Sequence, residues 1–161
     1  MNQKILIVRK NAILLIALML FSFGCGNDND EAPTADDCGG QVCMAVVGVD
    51  ETATNVPSAI HGTFNMELTF AEPDSPVALG TKVTFTISAN KLIVAYEGED
   101  CFSIENPVAR FGATSGNYTF KAACIEDIAF NISQNSDGSL NEVNLELASG
   151  PGFYGQFTIV D

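Results

Sequence analysis

The sequence has little positive charge, and much of it lies at one end of the chain. Seven Lys and Arg residues stand against 20 Asp and Glu, which gives a formal net charge of −13. Three of the basic residues lie in the first ten positions, so residues 25–161 combine four basic with 20 acidic side chains, a formal charge of −16. Nucleic-acid binding requires clustered Lys and Arg that displace counterions from phosphates. We therefore expect no nucleic-acid partner, and anionic lipid head groups are equally poor partners.

The sequence also lacks the motifs that usually carry catalysis. It has no tryptophan and one histidine, no Gly-x-Ser-x-Gly nucleophile elbow and no Cys-x-x-Cys pair. His61 falls on the polar side of an alternating segment, where a structural or solvent-exposed role is the commoner one. We expect no catalytic residue, no cofactor and no enzymatic activity. The alternative is a hydrolase, which would need His61 beside a carboxylate or a nucleophile in a cleft.

A hydrophobic run long enough to span a bilayer is missing, although a shorter one lies near the start of the chain. Lys4, Arg9 and Lys10 precede the apolar residues 12–23, and Gly24-Cys25 follows them. A transmembrane helix needs about 20 apolar residues. A short basic N-terminal region, an apolar run of about a dozen residues and a small residue at the cleavage site are typical of a secretory signal peptide. We expect residues 1–24 to be a cleaved leader and the rest of the chain to be exported.

The end of this leader carries a family signature. Ser22-Phe23-Gly24-Cys25 resembles a bacterial lipobox, although Ser22 and Phe23 depart from the residues usual there. The resemblance implies that the Cys25 thiol is acylated and becomes the first residue of a membrane-anchored lipoprotein. Cysteine parity agrees, because acylation of one of the five cysteines leaves an even number for disulfides. An ordinary cleaved signal peptide is the alternative.

Acidic and polar residues follow Cys25. The run Gly-Asn-Asp-Asn-Asp-Glu at 26–31 is similar to the surface-export signal of Bacteroidota lipoproteins. The resemblance implies a lipid-anchored protein of the outer membrane that faces the cell surface, with a periplasm-facing position as the alternative. Residues 25–40 have no apolar period and are predicted to form a flexible acidic tether.

The remaining residues, 41–161, alternate between apolar and polar side chains and show no convincing helical period. They predict a single all-β domain of eight or nine antiparallel strands, with an Asn-Ser-Asp-Gly turn at 135–138. Mostly short connections favour an up-and-down, lipocalin-like barrel, and a Greek-key β-sandwich is the alternative. Tyr96 and Tyr118 share faces with apolar neighbours and are expected in the core. The predicted strands cover residues 44–49, 60–70, 82–88, 91–97, 102–111, 117–124, 127–133, 140–147 and 153–160.

Four cysteines lie in the exported part besides Cys25, and an oxidising compartment would pair them in one of three ways. If Cys101 and Cys124 face each other across a hairpin, the hairpin centre falls within the Gly-Ala-Thr-Ser-Gly segment at 112–116, where composition also predicts a turn. This register favours a Cys101–Cys124 disulfide. Cys38 and Cys43 would then form the second one. Metal or redox chemistry on these thiols is disfavoured because their spacing matches no zinc site.

Carboxylates cluster at two places that this pairing would bring to the same end of the domain. They could form a weak calcium site, because calcium takes several carboxylate oxygens, or a solvated loop end. Apart from this candidate, no metal site is expected. The candidate ligands are Glu97, Glu99, Asp100, Glu126 and Asp127.

Together these features predict a non-enzymatic, membrane-anchored lipoprotein. Its contact with the membrane would be the lipid alone, and its β domain would bind an envelope protein or an extracellular ligand. A first alternative is a lipocalin-like carrier that holds a small apolar ligand inside the barrel. A second alternative is a calcium-dependent adhesion module.

Overall fold

The computed structural model describes residues 39–112 and 114–160. These residues form β-strands joined by turns and one short 3-10 helix, Ser58–Ile60, so the predicted all-β class is confirmed. Eight of the strands in this part of the chain have four residues or more, and β1, β2 and β7 are shorter. The strands are β1 (Val42–Met44), β2 (Thr52–Ala53), β3 (Gly62–Ala71), β4 (Lys82–Ile87), β5 (Lys91–Tyr96), β6 (Phe102–Glu105), β7 (Val108–Ala109), β8 (Asn117–Lys121), β9 (Ile128–Gln134), β10 (Leu140–Leu147) and β11 (Phe153–Ile159).

The strands form one curled sheet in the order β1-β6-β5-β4-β3-β11-β10-β9-β8-β7-β2. Two antiparallel meanders, β3 to β6 and β8 to β11, meet where β3 pairs with β11. The one parallel pair of this sheet joins β1 to β6, and β1 and β2 form its two edges. The result is a half-barrel in which sequence neighbours lie side by side, as the short connections predicted.

The strand predicted at 102–111 is interrupted in its middle. Asn106 adopts a positive φ of 65°, and Pro107 has no N–H to donate to a ladder. β6 therefore pairs with β5, while β7 turns away to pair with β8, where Val108 lies opposite Thr119. The predicted hairpin around residues 112–116 is present and joins β7 to β8. Of the strand predicted at 102–111, only the two residues of β7 belong to this hairpin.

Aromatic side chains fill the inner side of the curled sheet. The ring of Phe85 packs edge-on against Phe130 and Phe157, with centroids 5.5 and 5.2 Å away. All three are fully buried, and such edge-to-face pairs add stability beyond the burial of area. Tyr118 is buried in the same core, as predicted, and its hydroxyl donates to Oε1 of Gln134 at 3.1 Å.

One disulfide closes the curl, and it differs from the predicted pairing. Cys43 on the edge strand β1 is bonded to Cys124, just beyond β8, with Cα atoms 5.6 Å apart. The Cys101–Cys124 and Cys38–Cys43 pairs are therefore wrong. The register argument failed because the chain leaves the β7–β8 hairpin at Pro107, so Cys101 does not lie on that hairpin. Cys101 is also disulfide-bonded. Its partner is not a described cysteine, because the two others are bonded to each other.

Several predictions concern residues outside the described ranges. These are the leader at 1–24, the acylation of Cys25, most of the tether at 25–40 and the role of Cys38. Within the described ranges, no helix has the length and apolar character needed to cross a membrane.

Candidate functional site

A cleft of about 630 Å³ opens at one end of the half-barrel. Its floor is apolar and includes Phe102 and Ile128, which also belong to the core. Its rim is acidic and comes from two separate turns, one after β5 and one after β8. The lining residues are Pro76, Val77, Ala78, Gly80, Thr81, Lys82, Tyr96, Glu97, Glu99, Asp100, Phe102, Ile125, Glu126 and Ile128.

Local structure explains how the first turn presents its carboxylates. Tyr96 ends β5 opposite Val83, and its carbonyl accepts a hydrogen bond from the Glu99 N–H at 3.2 Å. Gly98 makes this tight turn possible because it adopts a positive φ of 82°. Glu97, Glu99 and Asp100 are exposed around it.

The second turn is held against the cleft by the disulfide. The Ile125 N–H donates to the Ala122 carbonyl at 2.9 Å, which turns the chain directly after Cys124. The side-chain amide of Gln41 donates to the Cys124 carbonyl at 3.3 Å from the β1 side. Ile125 and Glu126 consequently face the cleft from the opposite side to the first turn.

Tyr96 lies between the apolar floor and the acidic rim. Its ring centroid is 6.2 Å from that of Phe102, and its side chain packs against the core. Burial raises the pKa of the Tyr96 phenol strongly, and the negative charges of Glu99 and Glu126 raise it further. The phenol is therefore neutral across the physiological pH range, and both carboxylates act on the same point of the cleft.

Four of the five predicted calcium ligands line this cleft: Glu97, Glu99, Asp100 and Glu126. The fifth, Asp127, instead accepts hydrogen bonds from the backbone N–H of Ser149 at 2.8 Å and from its hydroxyl at 2.5 Å. No three His, Cys, Asp or Glu side chains of the described residues are grouped closely enough to hold a metal ion. The sequence analysis expected these two groups of carboxylates at the same end of the domain, although it reasoned from the wrong disulfide. The two turns meet because β1 lies beside β6 and is bonded to Cys124.

His61 anchors a turn. Its Nε2 atom lies 2.9 Å from the Val56 carbonyl oxygen, next to the 3-10 helix that leads into β3. The side chain is exposed, as predicted, but His61 precedes β3 and is not part of the strand that the alternation predicted.

The basic residues of the described domain are mostly neutralised by ion pairs. Lys91 pairs with Glu105 at 3.2 Å, Arg110 with Glu146, and Lys121 with Glu51. The hydrogen bond from Lys121 lowers the pKa of Glu51, and the Gly48 N–H lowers it further. Lys82 stands at the cleft, surrounded by more acidic side chains than basic ones. The lining of the cleft is therefore negatively charged.

Comparison of the chain with models of protein families, with curated proteins and with solved structures found no match.

Proposed function

We propose that this chain is a non-enzymatic, lipid-anchored binding protein. Its cleft would receive a positively charged, partly apolar segment of an envelope or extracellular partner. The observation that carries the proposal is the combination, in one cleft, of an apolar and aromatic floor with carboxylates from two turns. No motif of the sequence points to catalysis at this site.

The two parts of the cleft would contribute differently to binding. Burial of apolar groups against Ile125 and the exposed edges of Phe102 and Ile128 would contribute to the affinity. Exposed carboxylates contribute little each, about 1 kcal/mol or less. They would instead speed association with a cationic partner and select against anionic ones. Lysine and arginine side chains suit both parts, since a hydrocarbon stem carries the charge.

The anchor follows from the sequence. The apolar run at 12–23 and the lipobox-like Cys25 support attachment to the outer membrane through lipid, and the acidic run at 26–31 supports display at the cell surface. A position facing the periplasm is the alternative. In either case the tether would leave the β domain free to meet a partner.

The two alternative functions rest on different observations. An apolar ligand inside the half-barrel is disfavoured because Phe85, Phe130 and Phe157 pack against one another there. Calcium-dependent adhesion has weaker support: four carboxylates line one cleft, but no three acidic side chains of the described residues are grouped closely enough to hold a metal ion. If calcium binds there, it must raise the melting temperature of the domain. An unchanged melting temperature at millimolar calcium would remove this candidate.

Calorimetric titration tests the proposal directly. The full chain, purified in detergent, is titrated with a short peptide of alternating Lys and Leu. The cleft variant is Glu99→Gln/Glu126→Gln. Its control is Asp50→Asn/Glu67→Gln, which removes the same charge from residues that do not line the cleft. We expect the cleft variant to bind several-fold more weakly and the control to match the wild type. Equal binding by all three proteins would refute the site.

A further inference from the structure

Two neighbouring strands carry irregularities that turn aromatic side chains to the outside. Between β3 and β11 the register shifts, so that Gln156 lies opposite Phe70 while Phe157 lies opposite Leu68. Thr69 is the extra residue of this β-bulge. Because Phe157 and Leu68 are fully buried, Gln156 and its partner Phe70 lie on the outer face. In the segment predicted as a strand at 60–70, Phe70 is one of the alternating apolar residues, so the period of two alone places it on the core side.

A second register shift does the same on the adjacent strand pair. Leu145 of β10 lies opposite Gly155, but Glu146 lies opposite Phe153, which leaves Tyr154 as the extra residue. Leu145 is fully buried, so Glu146 and Phe153 belong to the outer face. Each bulge re-aims one phenylalanine, a recognised use of such irregularities.

The two rings meet on the outer face. Their centroids are 5.8 Å apart, and their planes differ by 19°. Phe70 is 46% exposed and Phe153 is 40% exposed. The two rings thus form a small contiguous apolar patch on the outer face, and a patch of this kind is a candidate for an interaction surface.

Polar side chains stand in register beside the rings. Gln156 lies opposite Phe70, and Asn144 lies opposite Gln156 on the next strand. Both amides donate to the carboxylate of Glu142, the one from Asn144 over 3.1 Å. This bonding fixes the amide groups and turns their carbonyl oxygens away from that carboxylate. A row of hydrogen-bonding groups therefore continues from the aromatic pair across β11 and β10.

The chemistry of this face fits a sugar chain without charge. A pyranose ring has an apolar C–H side, which packs on an aromatic face, and hydroxyl groups at its edge, which bond to amides and carboxylates. An anionic polysaccharide is disfavoured, because the row contains Glu142 and three of the domain's basic residues are neutralised. Lys91 and Lys121 are held in ion pairs, and Arg110 is paired with Glu146, the residue opposite Phe153. We propose that Phe70 and Phe153 form a stacking platform for an uncharged polysaccharide, with Gln156 and Asn144 bonding its hydroxyl groups. This surface shares no residue with the cleft, so this proposal is independent of the function proposed for the cleft.

The test uses the full chain in detergent and a panel of uncharged polysaccharides: cellulose, chitin, mannan, xylan and amylose. Alginate serves as the anionic comparison. Binding is measured by co-sedimentation or by affinity electrophoresis. We expect at least one uncharged polymer to bind and alginate not to bind. Phe70→Ala and Phe153→Ala should each weaken binding about three- to tenfold, the loss expected for one aromatic contact.

Control variants separate stacking from general damage. Phe111 is 80% exposed and lies at the β7–β8 turn, so Phe111→Ala should leave binding unchanged. Phe70→Tyr keeps the ring and should bind as the wild type, whereas Phe70→Leu keeps apolar bulk without a ring and should not. Melting temperatures confirm that each variant is folded. Failure of every uncharged polymer to bind, or equal binding by the Phe70→Ala and Phe153→Ala variants, would overturn the proposal.

Discussion

Cys43 and Cys124 join the first edge of the curled sheet to the end of β8, although 81 residues separate them in sequence. The bond brings the turn at Ile125 and Glu126 against the turn after Tyr96. The cleft therefore depends on a covalent link between distant parts of the chain.

Removal of this bond should lower both stability and binding. We expect Cys43→Ser/Cys124→Ser to unfold with a free energy about 4 kcal/mol below that of the wild type, because the disulfide restricts a long loop in the unfolded chain. Urea unfolding, followed by circular dichroism, measures the difference. The double variant leaves no new free thiol from this pair. Stability equal to that of the wild type would show that the sheet closes without the bond.

Peptide mapping should identify the disulfides directly. Proteolysis without reduction is expected to release a linked pair of peptides that contains Cys43 and Cys124. With Cys25 proposed as the acylated residue, Cys38 is the cysteine that remains for Cys101. We therefore expect a second linked pair between these two. Linked peptides joining Cys101 to Cys124 would contradict the fold described for β6 and β7.

Gly155 occupies a position where no side chain fits. A Cβ atom there would lie 2.6 Å from the Phe70 carbonyl oxygen and 2.9 Å from Cδ1 of Leu68. We expect Gly155→Ala to lower the free energy of unfolding by about 2 kcal/mol, since the β3–β11 pair must move apart. Gly150 is the matched control, because nothing lies within 4 Å of a Cβ built there. Equal stability of the two variants in a thermal melt would argue against the close approach.

Because the Tyr96 phenol is buried, the free energy of unfolding should fall at alkaline pH. Its pKa is raised in the folded protein, whereas an unfolded tyrosine titrates near pH 10. The protonated Tyr96 phenol therefore makes its full contribution to the free energy of unfolding below about pH 10, and this contribution is lost as the pH rises above that value. Tyr96→Phe should remove this part of the loss, so its urea midpoint should fall less between about pH 9 and pH 11. Parallel loss in both proteins would show that Tyr96 titrates normally.

The sequence predicted the buried and exposed positions of β4, because a period of two reports directly which side chains of a half-buried strand are buried. β4, β5 and β10 lie within a residue or so of their predicted limits. Periodicity says nothing, however, about which distant strands meet around a curl. The disulfide pairing failed for that reason: Pro107 divides one apparent strand between two parts of the sheet.

The two bulges explain why the aromatic pair escaped sequence analysis. One extra residue on a strand reverses the face of everything beyond it, and nothing in the run Glu67-Leu68-Thr69-Phe70 announces the insertion. Gly155 was the one local signal, because a glycine within a strand often marks a bulge or a close approach. For the cleft, the sequence identified the carboxylates but not the apolar floor that gives them a possible ligand.

Fluorine NMR of the full chain labelled with fluorotyrosine tests the proposed binding site most directly. The chain has three tyrosines, and Tyr96 alone among them lines the cleft. The Tyr96→Phe variant assigns its resonance. On addition of the Lys–Leu peptide, we expect the Tyr96 signal to shift while those of Tyr118 and Tyr154 stay in place. A shift confined to the other two tyrosines, or no shift at saturating peptide, would contradict binding in the cleft.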